Sequence, residues 1–483
     1  MAKFFKPSDR PRTRRFIELF LTVIAIAFCP ISMWLVDPEN ITLKHDNTWV
    51  LATGVLGGGA LLIHTVLHLR ARYADPLILP IVVLLNGLGL AMIYRIDLTT
   101  PSNAGATQIM WTALGMTVAA VTLLMLKSHR VLRRVTYVSL LVSLVLLLLP
   151  LIPFLGVEIY GARIWISIAG RTFQPGELAK ITLAIFFAGY LSTHRDLILV
   201  AGRRLGPLRF PRFRDLAPMF IAWLASIGVL IFQRDLGSAI LFFGLFVSML
   251  YLATGRSTWV FLGLGFVALG GVLAYQFIGH VNARIYGWIH AFDPEIYNRA
   301  YGGSGQIIQG IFGLGAGGLF GRGWGKGRPD LVAFSNSDMI VTSLGEELGL
   351  VGLSAILLLY FLLITRGFRA ALGTRDAFGK LLSGGLSAAI VIQLFVVVGG
   401  VTRMIPLTGL TTPFLSAGGS SLLANWIIIA LLLSVSHAAR APHVIDSSTG
   451  VDGASDTDSQ EGGVTRLISK MATHTRVGGS PRE

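Results

Sequence analysis

Residues 137–155 read YVSLLVSLVLLLLPLIPFL, nineteen positions without one charged side chain. A helix on the surface of a soluble protein keeps a polar face, so a run that is apolar all round belongs in lipid or in a large core. Just before it stand Lys127, Arg130, Arg133 and Arg134, the kind of basic cluster that holds a spanning helix at the cytoplasmic surface. Reading outward in both directions repeats this alternation. Apolar runs fall at 16–36, 49–69, 76–94, 109–126, 137–155, 178–191, 216–232, 238–253, 260–278, 340–365, 381–401 and 422–435. Further basic clusters lie at Lys3 to Arg15, at Arg70 and Arg72, from Arg195 to Arg214, at Arg256, and from Arg366 to Lys380. The loops between them, such as 37–47 and 97–108, are poor in Lys and Arg. With twelve crossings every strongly basic loop falls on one side; an odd count breaks the pattern. The expected fold class is therefore all-α, a polytopic integral membrane protein of about twelve transmembrane helices with both termini cytoplasmic.

Composition agrees. Of 483 residues, 53% are hydrophobic and 13% charged, with a mean hydropathy of +0.69, where soluble domains carry about 25% charged residues. The net charge of +15 sits in short loops between apolar runs, without the basic-aromatic surface that nucleic acid needs, so no nucleic-acid partner is expected. The single cysteine, Cys29, allows no disulfide within the chain, and the ten histidines show no metal-ligand spacing. The run at 16–36 is long for a signal-peptide core and lacks a small-residue cleavage site, so it is expected to be retained.

Three exterior segments interrupt the runs. The first, 156–177, contains Gly161-Ala-Arg163-Ile-Trp165 and then Phe173-Gln-Pro175-Gly-Glu177-Leu-Ala-Lys180. Pro175 suits the first turn of a helix, and Glu177 and Lys180, three apart, share one face of it. They form either an ion pair that anchors the helix end or part of a polar site. The longest, 279–338, is a large exterior loop between spans nine and ten, carrying Arg284, Asp293, Gln306 and Gln309 and the glycine-rich run from Gly313 to Gly327 with Arg322 and Lys326. Its glycines follow no strand and open no βαβ unit, so a dinucleotide site is a poor reading. A backbone that approaches a ligand closely, with Arg322 and Lys326 near a phosphate, is a better one. Ser335-Asn336-Ser337-Asp338 then stands at the mouth of the tenth span, and position alone favours a capping role for Asp338. Glu346 and Glu347 follow about 12 Å further along the helix and must face protein or water. At Arg234-Asp235 a local salt bridge is the simplest expectation. The third segment, 402–421, has prolines, glycines and hydroxyls including Thr408, Thr412 and Ser416. It is either irregular backbone lining a polar cavity shielded from lipid or a plain exterior turn. To this point the residues describe an outward polar cavity lined by Arg163, Glu177, Lys180, Arg322 and Asp338, which suits a transporter or an enzyme acting on a lipid.

These segments, in this order, resemble the SEDS family (shape, elongation, division and sporulation), whose members polymerise peptidoglycan. The resemblance rests on 161–165, 173–180, Gln233-Arg-Asp-Leu-Gly237, Asp293-Pro294, 306–310, 318–325, Ser337-Asp338, Gly345-Glu-Glu-Leu-Gly349 and 406–421, and covers roughly 76–435. The run Gly327-Arg-Pro-Asp330 resembles the cell-elongation members more than the division members. Family members usually have ten spans, so 1–75 is expected to hold a basic N-terminus and two additional transmembrane helices, 76–440 the SEDS glycosyltransferase domain and 441–483 a disordered cytoplasmic tail. Met339 departs from the family's usual Phe, and Gln306 stands where related sequences vary. The resemblance implies that Asp338 is the essential exterior aspartate, which displaces the capping reading, and that Arg163, Lys180, Glu177, Arg322, Gln309 and Ser416 bind the substrate and its pyrophosphate.

The reaction so implied is glycosyl transfer on lipid II. A sugar hydroxyl is a poor nucleophile at neutral pH, so a positioned carboxylate, Asp338, takes its proton or ligates Mg²⁺ or Mn²⁺. An α-linked donor giving a β-1,4 product means inversion by one displacement, with no covalent enzyme intermediate. The implied partner is a class B penicillin-binding protein, the transpeptidase. The competing functions are a lipid II flippase, which many spans and buried charges also suit, and a non-catalytic scaffold.

Overall fold

The computed structural model describes residues 13–39, 47–100, 102–159, 161–168, 170–200, 202–205, 208–211, 213–299 and 303–442. The tail expected over 441–483 lies, from residue 443 on, outside the described residues.

All twelve apolar runs fall in helices: α1 (Arg15–Val36), α2 (Thr48–Arg70), α3 (Ile78–Asp97), α4 (Ala104–Met125), α5 (Thr136–Leu148), α6 (Gly176–Val200), α7 (Phe213–Gln233), α8 (Leu236–Thr254) and α9 (Thr258–Phe277), then, after three shorter helices, α13 (Ile340–Gly373), α14 (Ala377–Val401) and α15 (Gly419–Arg440). Among the described residues ten are long and apolar enough to cross a membrane; α5 counts with its flanking 3-10 turns as His129–Leu151. The other two, α6 and α7, are helical over the expected positions, but α6 carries Glu177 and Lys180 in its first turns and the apolar part of α7 is short, Ala217–Gln233. Helix is forced here because hydrocarbon offers no water to unpaired backbone groups. Ends are set by specific residues. Asp235 accepts the Ser238 N–H at 2.9 Å to cap α8, Gly255 ends it with φ 69°, and Asp376 accepts the Gly379 N–H at 2.8 Å to cap α14.

The helical class holds, with short strands added in two places. Segment 156–177 folds as an antiparallel sheet, β1 (Gly156–Ile159), β2 (Ala162–Ile168) and β3 (Arg171–Phe173), in the order β1-β2-β3. A second hairpin pairs β4 (Gly202–Leu205) with β5 (Leu208–Pro211). The stretch Ala-Arg-Ile-Trp-Ile-Ser-Ile of β2 alternates β-branched or aromatic residues, a strand signal that a search for long apolar runs passes over. Segment 279–338 is likewise less of a loop than expected. It contains α10 (Gly279–Ile289), α11 (Pro294–Tyr297) and α12 (Gly305–Gly317).

Helix α13 is also not one continuous rod. Gly349, at φ 70° and ψ −174°, breaks it into 340–348 and a spanning portion from 350. At the break, Leu350 N–H donates to Gly318 O at 2.9 Å and Val351 N–H to Leu319 O at 3.0 Å, so the glycine-rich stretch is laced onto the kink. A side chain at 349 would run into the Gly321 amide and Leu319 carbonyl. Gly349→Ala is therefore expected to cost at least about 1–3 kcal/mol from backbone strain alone, read as a lowered unfolding midpoint in detergent; an unchanged midpoint would show the kink to be dispensable.

Buried on nearly every side, α3 is the centre of the bundle. Its Gly89 sits eight residues before the C-terminal end at Asp97, about 12 Å at helical rise, and a Cβ there would meet Phe414 O at 2.6 Å and Leu415 Cα at 2.8 Å. The segment 402–418 thus descends into the bundle rather than turning outside it. Phe414 packs edge-on against Trp426 of α15 with ring centroids 5.8 Å apart, and the Tyr360 hydroxyl of α13 donates to Pro413 O. Trp426 Nε1–H donates in turn to Asn86 Oδ1 of α3 at 3.1 Å. Irregular backbone at this depth survives because protein, not lipid, surrounds it.

Candidate functional site

Segment 335–338 meets the descending segment, with α4 alongside. The Ser416 hydroxyl donates to Ser337 O at 2.7 Å and accepts the Thr412 N–H at 2.8 Å, while Ala417 N–H donates to Asn336 O at 2.8 Å. Gln108 of α4 clamps the same segment, donating to Ser416 O at 3.0 Å and accepting from Gly418 N–H at 3.2 Å. These bonds fix the backbone that carries Asp338.

Asp338 does not cap α13. The capping position is Met339, without a side-chain hydrogen bond. The half-buried Asp338 carboxylate makes no hydrogen bond or ion pair with any described residue, and Gly409 opposes it, a Cβ there falling 3.6 Å from Oδ2. Burial pushes its carboxyl up to about 6, against the opposing pull of the Arg284 guanidinium. A carboxylate of that basicity is about nine-tenths ionised at pH 7, yet accepts a proton better than an exposed aspartate.

Arg284 reaches the site from α10. Trp288, one turn on, donates through Nε1–H to Arg403 O at 3.0 Å, and Arg403 Nε–H returns a bond to Trp288 O at 3.1 Å. With α10 stapled in this way, Arg284 Nη1 donates to Thr408 O at 3.3 Å, beside Gly409. Its charge also acts on Asp235, whose carboxyl is raised chiefly by burial and further by Glu177, against the pull of Ser238 and Arg284. The expected Arg234–Asp235 salt bridge is replaced by two separate bonds: Asp235 caps α8, and Arg234 donates to Gly161 O at 3.4 Å.

Glu177 and Lys180 form a buried ion pair at 2.5 Å, with side chains 6% and 2% exposed. Lys180 Nζ also donates to Gln393 Oε1 at 2.9 Å, and Gln393 Nε2 to Thr411 O at 2.8 Å. The pair is thereby wired through α14 into the segment that carries Gly409 and Ser416, which goes beyond anchoring a helix end.

The remaining candidates lie apart from this network. Arg163 on β2 pairs at 2.8 Å with Glu158 of β1, both well exposed, an arrangement of little stabilising value. Arg322 Nη1 lies 3.1 Å from Glu346 Oε1, in a second cluster where Arg95 Nε is 3.2 Å from Glu347 Oε1 and Glu347 Oε2 accepts the Gly325 N–H at 2.8 Å. This cluster pins the glycine-rich stretch, and Trp324 Nε1–H donates to Ser32 O of α1 at 2.8 Å. Gln309 on α12 donates to the Tyr297 hydroxyl at 3.2 Å. Arg284, Gln393 and Arg95 are polar residues that sequence reasoning did not select. Gln393 and Arg95 had a signal, a polar group within or at the edge of an apolar run; nothing local separated Arg284 from the other arginines between the apolar runs.

A metal is poorly served by the chain alone. Among the described residues no three His, Cys, Asp or Glu side chains gather to hold one, and Asp338 offers a single carboxylate.

Fold and site together define a polytopic membrane protein with a free carboxylate among segments that re-enter the bundle. The chain belongs to the FtsW/RodA/SpoVE family of cell cycle proteins, whose model matches residues 76–441. It is 45% identical over 441 residues to the peptidoglycan glycosyltransferase RodA of Mycobacterium tuberculosis, covering 89% of this chain and 92% of that one. The peptidoglycan glycosyltransferase RodA of Mycobacterium leprae is 44% identical over 439 residues, with the same shares. Similarity to these relatives extends past the family-matched part. Among solved structures, a chain from a peptidoglycan synthase complex that coordinates polymerization and crosslinking superimposes with a TM-score of 0.60 at 26% identity, covering 77% of this chain and 99% of that one.

Proposed function

We propose that this chain is an inverting peptidoglycan glycosyltransferase that polymerises lipid II into β-1,4 glycan strands during cell elongation. The observation that carries the reading is Asp338, a half-buried carboxylate held near 6, without a hydrogen-bond partner among the described residues and in the field of Arg284. Family membership and the names of the relatives support the reaction class.

Asp338 takes the proton of the acceptor GlcNAc 4-hydroxyl as that oxygen attacks the anomeric carbon of the donor MurNAc. The bond from that carbon to the pyrophosphate breaks, and undecaprenyl pyrophosphate leaves with the electron pair. Arg284 is the cation whose charge reaches Asp338, which favours it over the outlying Arg163 for stabilising the departing oxyanion. Mg²⁺ or Mn²⁺ would be held mainly by substrate phosphates, with Asp338 as its one protein carboxylate. Glu177, Lys180 and Ser416 act through the segment they hold; Arg322 and Gln309 act from the glycine-rich side.

In this reading the chain crosses the cytoplasmic membrane twelve times with both termini cytoplasmic and Asp338 on the outer face, as the alternation of basic loops supports, and 76–440 form the catalytic domain behind two additional N-terminal helices. The partner is a class B penicillin-binding protein that crosslinks the strands; the similarity to a synthase-complex chain supports this choice. Purified protein given lipid II, with and without divalent ions and the partner, is expected to yield a ladder of glycan products on a gel. Transport of labelled lipid II across a bilayer without a ladder would replace this reading with the flippase.

A further inference from the structure

At the end of the bundle where α1 and α3 begin and α13 and α15 finish, a cavity of about 360 Å³ is lined by Arg14, Arg366, Arg369 and Arg440, with Asp75 as the one carboxylate among the described residues of its walls. Four guanidinium charges therefore meet one counter-charge. Asp75 does not satisfy them: its Oδ2 lies 3.7 Å from Arg366 Nη1 and 3.5 Å from Arg440 Nη1, and its Oδ1 accepts the Leu77 N–H at 3.0 Å. Arg366 Nε and Arg440 Nη1 are buried without a hydrogen-bond acceptor among the described residues. Neighbouring Arg15 is spent elsewhere, on Glu18 and the carbonyls of Arg72 and Ala74.

Buried donors without acceptors are costly, and planar guanidinium forks match the oxygens of a phosphate. The cavity also has an apolar exit. Ile17 lines it and is 47% exposed, and Phe20, three residues on and so on the same face of α1, is 59% exposed. That surface suits an acyl chain rising beside a bound headgroup, as basic pockets between helices on the cytoplasmic side do.

We propose that this cavity binds the phosphate headgroup of an anionic phospholipid, which bridges α1 to the ends of α13 and α15. The inference takes only the choice of leaflet from the proposed topology, and its test reads lipid binding rather than glycan formation, so the two fail separately. Full-length protein in nanodiscs containing phosphatidylglycerol is released for native mass spectrometry beside the Arg366→Gln/Arg440→Gln variant. Removing two basic contacts is expected to weaken phosphatidylglycerol retention about thirtyfold. Should that variant fail to fold, Arg369→Gln, at the exposed rim, is expected to weaken it about fivefold. A second arm titrates inorganic phosphate into the protein in phosphatidylcholine nanodiscs. Phosphate binding that the substitutions abolish, with no preference for phosphatidylglycerol, overturns the lipid source. Equal phosphatidylglycerol retention by native and substituted chains overturns the site.

Discussion

Asp338→Asn is expected to leave a folded protein whose lipid II polymerisation falls by about 10²–10⁴-fold, the range a positioned general base contributes. Asn keeps the shape and the surroundings set by Ser416 and Gly409 but accepts no proton. In the native chain the rate should rise as pH passes through about 6, where the carboxyl ionises, and fall about tenfold per unit below it. Stability should move the other way. The carboxyl titrates near 6 folded and near 3.9 in an unfolded chain, so the folded state binds more protons between these values. Its stabilising contribution is complete below about pH 4 and is lost as pH rises through 6. The Asn variant, neutral throughout, should therefore unfold at a higher temperature than the native protein at pH 7 while being nearly inactive. Normal glycan ladders from this variant would remove Asp338 from the chemistry; a lowered midpoint would show that its charge is favourable in the fold.

The second large effect is expected at Lys180. Lys180→Met strips Glu177 of its partner inside the bundle and leaves Gln393 Oε1 without its donor. Removing one member of a buried pair typically costs about 3–5 kcal/mol, because the remaining charge is uncompensated. The Glu177→Gln/Lys180→Met pair should recover part of that loss, since no charge then stays buried. Because Gln393 also holds Thr411 O, the single variant should in addition loosen the segment around Gly409 and lower activity. Unfolding of the three proteins in detergent decides the matter: a double variant less stable than Lys180→Met would show that Glu177 does not depend on Lys180 for its place.

Much of this was legible in order and composition. The run at 137–155 and its basic flank, repeated along the chain, located helices at every expected position, because lipid leaves apolar backbone no other stable form. Position alone read Asp338 as a cap and only the family resemblance singled it out, whereas three-residue spacing on one helix face put Glu177 beside Lys180. Other features escaped for identifiable reasons. The β2 strand hides between two apolar runs because its signal has a period of two over seven residues. The break at Gly349 is invisible in an apolar run, since glycine is common in spanning helices and only its φ reveals the kink. Arg163 looked as available as Arg284 until the hairpin gave it Glu158.

What the sequence by itself determined is which segments are apolar and long enough for lipid, because transfer free energy depends on side-chain composition and length. Only the tertiary structure decided which polar groups share a site. Asp338, Arg284 and Gly409 come from three distant stretches, and their meeting depends on where 402–418 descends against Gly89. Coulombic coupling and proton transfer act over a few ångströms of space, and separation along the chain carries no measure of that distance.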